Sequence, residues 1–367
     1  MDNQKFKLLK EQSLRILIDN QHSSGAFIAC PEFPTYKYSW FRDGVYIAYS
    51  LLISGLSEET RLFIEWGCQV ILNQREKVNR LEQLLKTGET PEAAAFLGAR
   101  YSLEGEEDSS DCPNFQIDGF GSWMWLVSEY DKKSGNVIDP RWKEAAELLV
   151  DYFTLVWKLP NNDCWEEFPD QIHPATLSCV AGGLKSIGQH LSGSRARELA
   201  GEIESLIRNS SREKGYYPKF FGSDLVDASL IWLAVPYDII ELDDPAMVKT
   251  IEEIEKNLLV EGGVKRYSED TYYGGGRWIL LSAFLGWYYI RAGRFEEAAI
   301  LREWIATQSL KDGKLPEQVS EQVNDPSMIQ PWVERWGSVA TPLLWSHAMF
   351  LILHEELENA TKRSTII

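Results

Sequence analysis

Several absences narrow the field. The 367 residues include five cysteines, Cys30, Cys68, Cys112, Cys164 and Cys179, an odd number with no CxxC pair. A disulfide framework is therefore not expected, and reduced thiols in a cytoplasmic protein are the simpler reading. The five histidines (His22, His173, His190, His347 and His354) form no HExxH or comparable spacing, so no metal is expected. There is no GxSxG elbow, which disfavours a serine hydrolase. Gly274-Gly275-Gly276 lacks the GK[ST] ending of a phosphate loop, and its expected role is to let the backbone pass closely at a rim. Positive charge is scarce: 37 Lys and Arg stand against 55 Asp and Glu, for a net charge of −18. That balance excludes nucleic acid as a partner, because phosphate neutralisation needs a basic surface. Long apolar runs are also missing. The strongest, near Ile279–Ile290, is too short to cross a bilayer, so no membrane partner is expected. The opening MDNQKFKLLKEQ is polar and charged, unlike a secretory signal. The expected location is the cytoplasm, where small molecules are better substrates than external polymers.

What is present is helical periodicity. Apolar spacing predicts twelve helices, near 3–19, 43–55, 58–73, 117–130, 138–156, 173–191, 193–209, 225–234, 245–258, 276–292, 294–307 and 340–357. Strand-like alternation is sparse. Short turns such as Ser54-Gly55-Leu56-Ser57 and Ala292-Gly293-Arg294 join many of these segments. Taken pairwise they make six helical hairpins, which could close into an all-α (α/α)6 barrel. An open solenoid is the alternative, and no sequence repeat of fixed period supports it. Six long connections, 20–42, 74–116, 158–172, 211–224, 259–275 and 308–339, would then meet over one face of the barrel. The charged stretch Glu104–Asp111 reads as solvated. No linker divides the chain, so residues 1–367 are expected to form one domain.

The connections hold the chemistry. Asp163-Cys164-Trp165-Glu166-Glu167 and Leu315-Pro316-Glu317-Gln318 each set a carboxylate among aromatic, proline and amide neighbours. Glycoside hydrolysis needs two carboxylates, one to protonate the leaving oxygen and one to activate water or attack the sugar. Burial of Glu166 beside an indole would raise its pKa, as a general acid requires. By spacing alone, an exposed Glu-Glu pair at a helix start accounts for the same residues. Pro316 would stiffen the approach to Glu317, although KDGKLPEQ also reads as an ordinary turn. Arg42 and Asp43 follow Tyr36, Tyr38 and Trp40. Aromatics can stack on a sugar, and Arg and Asp can bond its hydroxyls; an ion pair at the start of a helix is the plainer alternative. Arg266 and Asp270 pose the same choice. His347, beside Trp345, is expected to be a hydrogen-bonded core residue.

These segments resemble the glucoamylase-type glycoside hydrolases of family 15, the group that also contains glucodextranases and some trehalases. The resemblance covers nearly the whole chain, in order: YKYSWFRDG (36–44), NFQIDGFGSWMW (114–125), DCWEE (163–167), RYSEDTYYGGGRWIL (266–280), LPEQV (315–319) and ATPLLWSHA (340–348). It implies an (α/α)6 barrel and hydrolysis that inverts a terminal glucose, with Glu166 as general acid and Glu317 as general base. It implies that Arg42, Asp43 and Arg266 grip that glucose, with Tyr36, Tyr38, Trp40, Trp165, Glu167 and Tyr272 around it. Inversion would set the two carboxyl groups about 6.5–9.5 Å apart. No metal or organic cofactor is implied. Fungal relatives place a tryptophan where Cys112 stands here, which puts stacking with the departing sugar in doubt. Neither a starch-binding domain nor an N-terminal β-sandwich is expected alongside these segments. A bare barrel fits a short α-gluco-oligosaccharide, and the favoured reading is an α-1,6-linked, isomaltose-type substrate. Specificity for α-1,4 or α,α-1,1 linkages is the alternative on the same scaffold. A non-catalytic sugar-sensing domain is the other-class alternative, and retention of both Glu166 and Glu317 argues against it. An epimerase or uronide hydrolase on this barrel would be expected to show catalytic histidines or an Asp pair.

Overall fold

Helical periodicity becomes thirteen α-helices among the residues that the computed structural model describes, which are 3–108, 114–135, 138–192 and 195–366. They are α1 (Asn3–Asp19), α2 (Phe41–Ile53), α3 (Ser57–Asn73), α4 (Arg75–Thr87), α5 (Asp118–Ser134), α6 (Pro140–Val156) and α7 (Pro174–Ile187). There follow α8 (Ala196–Ser210), α9 (Pro245–Asn257), α10 (Ile279–Arg291), α11 (Phe295–Thr307), α12 (Ile329–Trp336) and α13 (Leu344–Ile366).

Burial sorts them into two layers. Helix α10 is apolar on all sides and buried from Ile279 through Ile290, as befits an inner helix. Helix α8 instead buries one stripe, Ala196, Leu199, Ala200, Ile203 and Ile207, at the spacing of a half-exposed helix. The inner elements pack side by side in the order α2, α5, α7, a 3₁₀ segment (Ala228–Leu233), α10 and α13, and α13 returns to α2. Helices α1, α3, α6, α8, α9 and α11 lie outside this ring, each against an inner neighbour. The architecture is an (α/α)6 barrel. Its axis is filled by aromatic rings: Tyr46 packs on Trp345 at 5.6 Å and on Phe284 at 5.0 Å between centroids. Buried hydroxyls there satisfy one another, Tyr46 with Tyr237 at 2.8 Å and Ser122 with Tyr237 at 2.6 Å.

The departures from the sequence reading have local causes. Segment 225–234 forms a 3₁₀ turn rather than an α-helix. Asp227 caps it by accepting from Ser229 N–H, and Pro236 biases Val235 away from helical geometry. Two helices lie inside supposed connections. Helix α4 occupies the start of 74–116, and α12 crosses 308–339. Strands are limited to two-residue pieces. Ser39–Trp40 pairs with Arg100–Tyr101, and a small antiparallel sheet runs in the order Leu259–Val260, Gly263–Val264, Arg277–Trp278, Gln318–Val319. The stretch Glu104–Asp111 is only partly solvated. Glu104 and Glu106 are exposed, but Glu107 pairs with Lys77 at 2.6 Å and the Asp108 side chain is buried against Arg100 at 2.6 Å. The remainder of that stretch, and Cys112, lie outside the described residues.

Candidate active site

A cavity of about 760 Å³ opens over the N-terminal ends of the inner helices. Its walls come from five of the six long connections, and they include all eleven residues that the resemblance assigns to the site. Tyr36, Tyr38 and Trp40 arrive from the first connection, and Arg42 and Asp43 from the first turn of α2 that follows it. Trp165, Glu166 and Glu167 precede α7, Arg266 and Tyr272 precede α10, and Glu317 comes from the loop before α12. The sixth connection, 211–224, works from beneath through Lys219.

Glu317 is fixed from three sides. Its N–H donates to Ala340 O at 2.9 Å, and Ser346 Oγ donates to Pro316 O at 2.8 Å. Leu315 N–H donates to His347 Nε2 at 3.0 Å, so that nitrogen is an acceptor and the ring proton sits on Nδ1, 2.9 Å from Ser13 Oγ. Burial lowers the His347 pKa to about 3, which keeps the ring neutral and makes it the core residue anticipated from the sequence. The Glu317 carboxyl is 3% exposed. Oε1 accepts from Tyr36 O–H at 3.1 Å, while Oε2 is buried without a partner among the described residues. Loss of hydration pushes Glu317 up to about 8, against the pull of Tyr36 and Arg266.

Glu166 stands opposite on a tight loop, with its backbone in the left-handed region at φ 67°. Such a conformation needs support, and the neighbouring carboxylates supply it. Asp163 Oδ1 accepts from Trp165 N–H and Glu167 N–H, both at 2.9 Å. Asp163 Oδ2 accepts from the buried Lys219 ammonium at 2.8 Å, which also donates to Asp227 at 2.6 Å. Asp227 in turn accepts from the Trp165 indole at 3.0 Å. The Trp165 N–H therefore points away from Glu166. The indole that bonds Glu166 is Trp40, whose Nε1 donates to Oε1 at 2.8 Å. The carboxylate is half-buried. It is not the exposed helix-start pair allowed by spacing, since α7 begins only at Pro174.

The floor is charged and buried. Arg42 donates to Gln116 and Asp118, each at 2.9 Å, and its guanidinium lies 5.8 Å from the Trp345 ring centre. Gln116 also donates to Glu166 Oε1 at 3.2 Å, which couples floor to loop. Asp43 does not cap its helix. Burial, with Glu166 and Asp118 nearby, raises it to about 7 despite Arg42. Arg266 forks onto Asp270 and reaches Glu167 at 3.3 Å, inside a cage of Trp165, Tyr267, Tyr272 and Trp278 at 5.3–5.7 Å. Burial raises Glu167, with Asp163 adding to it, while Arg266 and the Tyr267 hydroxyl oppose it. Behind the cage the Gly274–Gly276 backbone passes closely, since a Cβ on Gly275 would stand 2.1 Å from Asp270 O.

Sequence reasoning missed Gln116, Trp278 and Trp345 as individual site residues, although each lies in a segment quoted for its motif. It also missed Trp332, Arg335 and Trp336, which line the cavity from α12. Their signal was available: Trp, Arg and Trp at i, i+3 and i+4 make one helical face. Among the described residues no group of three or more His, Cys, Asp or Glu is arranged to hold a metal ion.

The profile of glycosyl hydrolases family 15 matches residues 7–354. An isomaltose glucohydrolase from Kribbella flavida is 36% identical over 95% of this chain and 92% of its own length. A trehalase from Thermoplasma acidophilum is 25% identical over 79% of this chain and 52% of its own. Among solved structures, a glycosidase carrying a glutamate-to-alanine substitution, in complex with glucose, superposes with a TM-score of 0.93 at 36% identity, covering 98% of this chain and 99% of that one. A bacterial glucoamylase complexed with acarbose shares the fold, with a TM-score of 0.75 at 19% identity over 95% of this chain and 55% of that one.

Proposed function

The chain belongs to glycosyl hydrolase family 15, and we propose that it is an exo-acting, inverting α-glucoside hydrolase acting on short oligosaccharides, with α-1,6-linked isomaltose-type substrates preferred. The observation that carries this reading is the pair Glu166 and Glu317. They reach one cavity from loops about 150 residues apart in sequence, each in a different hydrogen-bonding state.

In this mechanism the terminal glucose enters first and lies on the floor, where Arg42, Asp43 and Arg266 bond its hydroxyls. Glu166 protonates the glycosidic oxygen. Glu317 accepts a proton from water through Oε2, the oxygen with no partner among the described residues, and that water attacks the anomeric carbon from the opposite face. The product is β-glucose, and the carboxyl pair is restored by proton exchange. A base whose pKa lies near ambient pH is well matched to this step. Tyr36, Tyr38, Trp40, Trp165, Glu167 and Tyr272 form the surrounding shell. The relatedness to the Kribbella flavida isomaltose glucohydrolase supports the linkage, and the four free, buried cysteines among the described residues suit a reducing cytoplasm. We take the whole barrel as a single catalytic unit.

Glu166→Gln and Glu317→Gln test the assignment. Each variant should lose about 10²–10⁴-fold in kcat on isomaltose while remaining folded. Near-normal turnover in either would remove that residue from its role.

A further inference from the structure

Helix α12 supplies a wall of the cavity that hydrolysis itself does not use. Trp332, Arg335 and Trp336 share one face of it, and all three line the cavity. The helix adds little to the core, since none of its residues is fully buried. It is nevertheless held firmly. Before it, Asn324 N–H donates to Gly274 O at 2.8 Å, and the Asn324 side chain donates to Asp270 O at 3.0 Å. After it, Tyr273 O–H donates to Gly337 O at 2.9 Å. Trp332 packs edge-on against Tyr272 at 5.0 Å, which ties the wall to the proposed sugar shell.

This face has unused binding capacity. The Arg335 guanidinium lies over Trp336 at 4.9 Å and over Trp332 at 5.5 Å, and it has no carboxylate partner among the described residues. Trp332 Nε1 is buried without an acceptor among the described residues, and Trp336 is 37% exposed. The opposite rim differs, because Arg100 stacks on Tyr38 at 4.7 Å and is committed to Asp108. Depth assigns the occupant. Arg42, Asp43 and Glu317 close the floor at 3–7% exposure, so a substrate enters with its terminal glucose inward and its remainder toward the mouth.

We propose that the Trp332–Arg335–Trp336 face of α12 is the platform for the leaving sugar, a neutral pyranose. Its C–H face would stack on the indoles, and its hydroxyl oxygens would accept from Arg335. The inference rests on the hydrolase reading and deepens it. The platform fixes the leaving half of the substrate, and so linkage preference, while the floor fixes the glucose.

The test compares two substrates that share the glucose and differ in what departs: isomaltose, which releases a sugar, and α-D-glucosyl fluoride, which releases fluoride ion. Arg335→Ala and Trp336→Ala alter exposed side chains that touch none of the floor residues, and the double variant combines them. The double variant should lose about tenfold to a hundredfold in kcat/KM on isomaltose, the scale of one lost stacking and hydrogen-bonding platform. Glucosyl fluoride turnover should fall by less than about threefold, which also reports that the floor is intact. An equal fall on both substrates, or no fall on isomaltose, would overturn the platform. Failure of the unaltered protein on both substrates would instead overturn the hydrolase reading.

Discussion

Glu317→Gln should stabilise the fold as it abolishes turnover, and the gain should depend on pH in a defined direction. Burial raises Glu317 from its ordinary value of 4.5 to about 8. A carboxyl that holds its proton more tightly when folded supports the fold below the unfolded value. That support is lost as pH rises through the folded value, so the window runs from 4.5 to about 8. Shifting the midpoint this far bounds the cost of the ionised form at about 5 kcal/mol. Glutamine keeps the shape and an acceptor for Tyr36, but its NH2 inherits a site where Oε2 has no partner among the described residues. Leaving that donor unpaired costs about 1–3 kcal/mol. A net gain of about 2–4 kcal/mol at pH 8.5 remains, falling as pH drops and turning into a loss of about 1–3 kcal/mol near pH 4.5. Urea unfolding of both proteins across that range measures it. A variant no more stable than the parent at pH 8.5, or one whose gain grows on acidification, would refute the reasoning. The strain would mark a site where stability is given up for function.

The buried Asp163–Lys219–Asp227 group supplies a second expectation. Lys219→Met strands two buried carboxylates, so it should cost about 3–5 kcal/mol at pH 7 and lower kcat by releasing the Glu166 loop. Burial would raise Asp227, but Lys219 and the Ser229 hydrogen bonds together hold it below its usual range, so the penalty should shrink as acid protonates the stranded carboxylates. Denaturation within about 1 kcal/mol of the parent, together with unchanged kcat, would sink the idea. Arg266→Lys keeps a charge beside Asp270 but loses the planar fork that also reaches Glu167. It should reduce kcat/KM on isomaltose at least about tenfold, and an unchanged value would remove Arg266 from the glucose site.

Much of this was legible in the chain because helical periodicity and clustered aromatics are local signals. The inner helices read clearly, since α2 and α10 are apolar nearly all round, and their starts at Phe41 and Ile279 fall within a few residues of expectation. Helix α12 was hidden because its apolar face meets a cavity instead of the core, leaving QPWVERW without the run of aliphatic residues that marks a packed helix. The 3₁₀ segment at Ala228–Leu233 failed for the opposite reason: its apolar content suits a buried helix, but Asp227 and Pro236 allow it little more than a turn. All eleven candidate residues line one cavity, yet their partners were not readable. Nothing local in the sequence pairs Trp40 with Glu166, Tyr36 with Glu317 or Lys219 with Asp163, because those contacts span 126, 281 and 56 positions. They exist only once the barrel closes.

The central claim is tested most directly by proton NMR of the anomeric signals while the protein acts on isomaltose, with maltose and trehalose run separately. Inverting hydrolysis by Glu166 and Glu317 predicts that β-glucose appears first and that isomaltose gives the fastest signal. Early α-glucose would contradict Glu317 as a base and point to a nucleophile, and no glucose from any of the three would contradict hydrolysis of short α-glucosides.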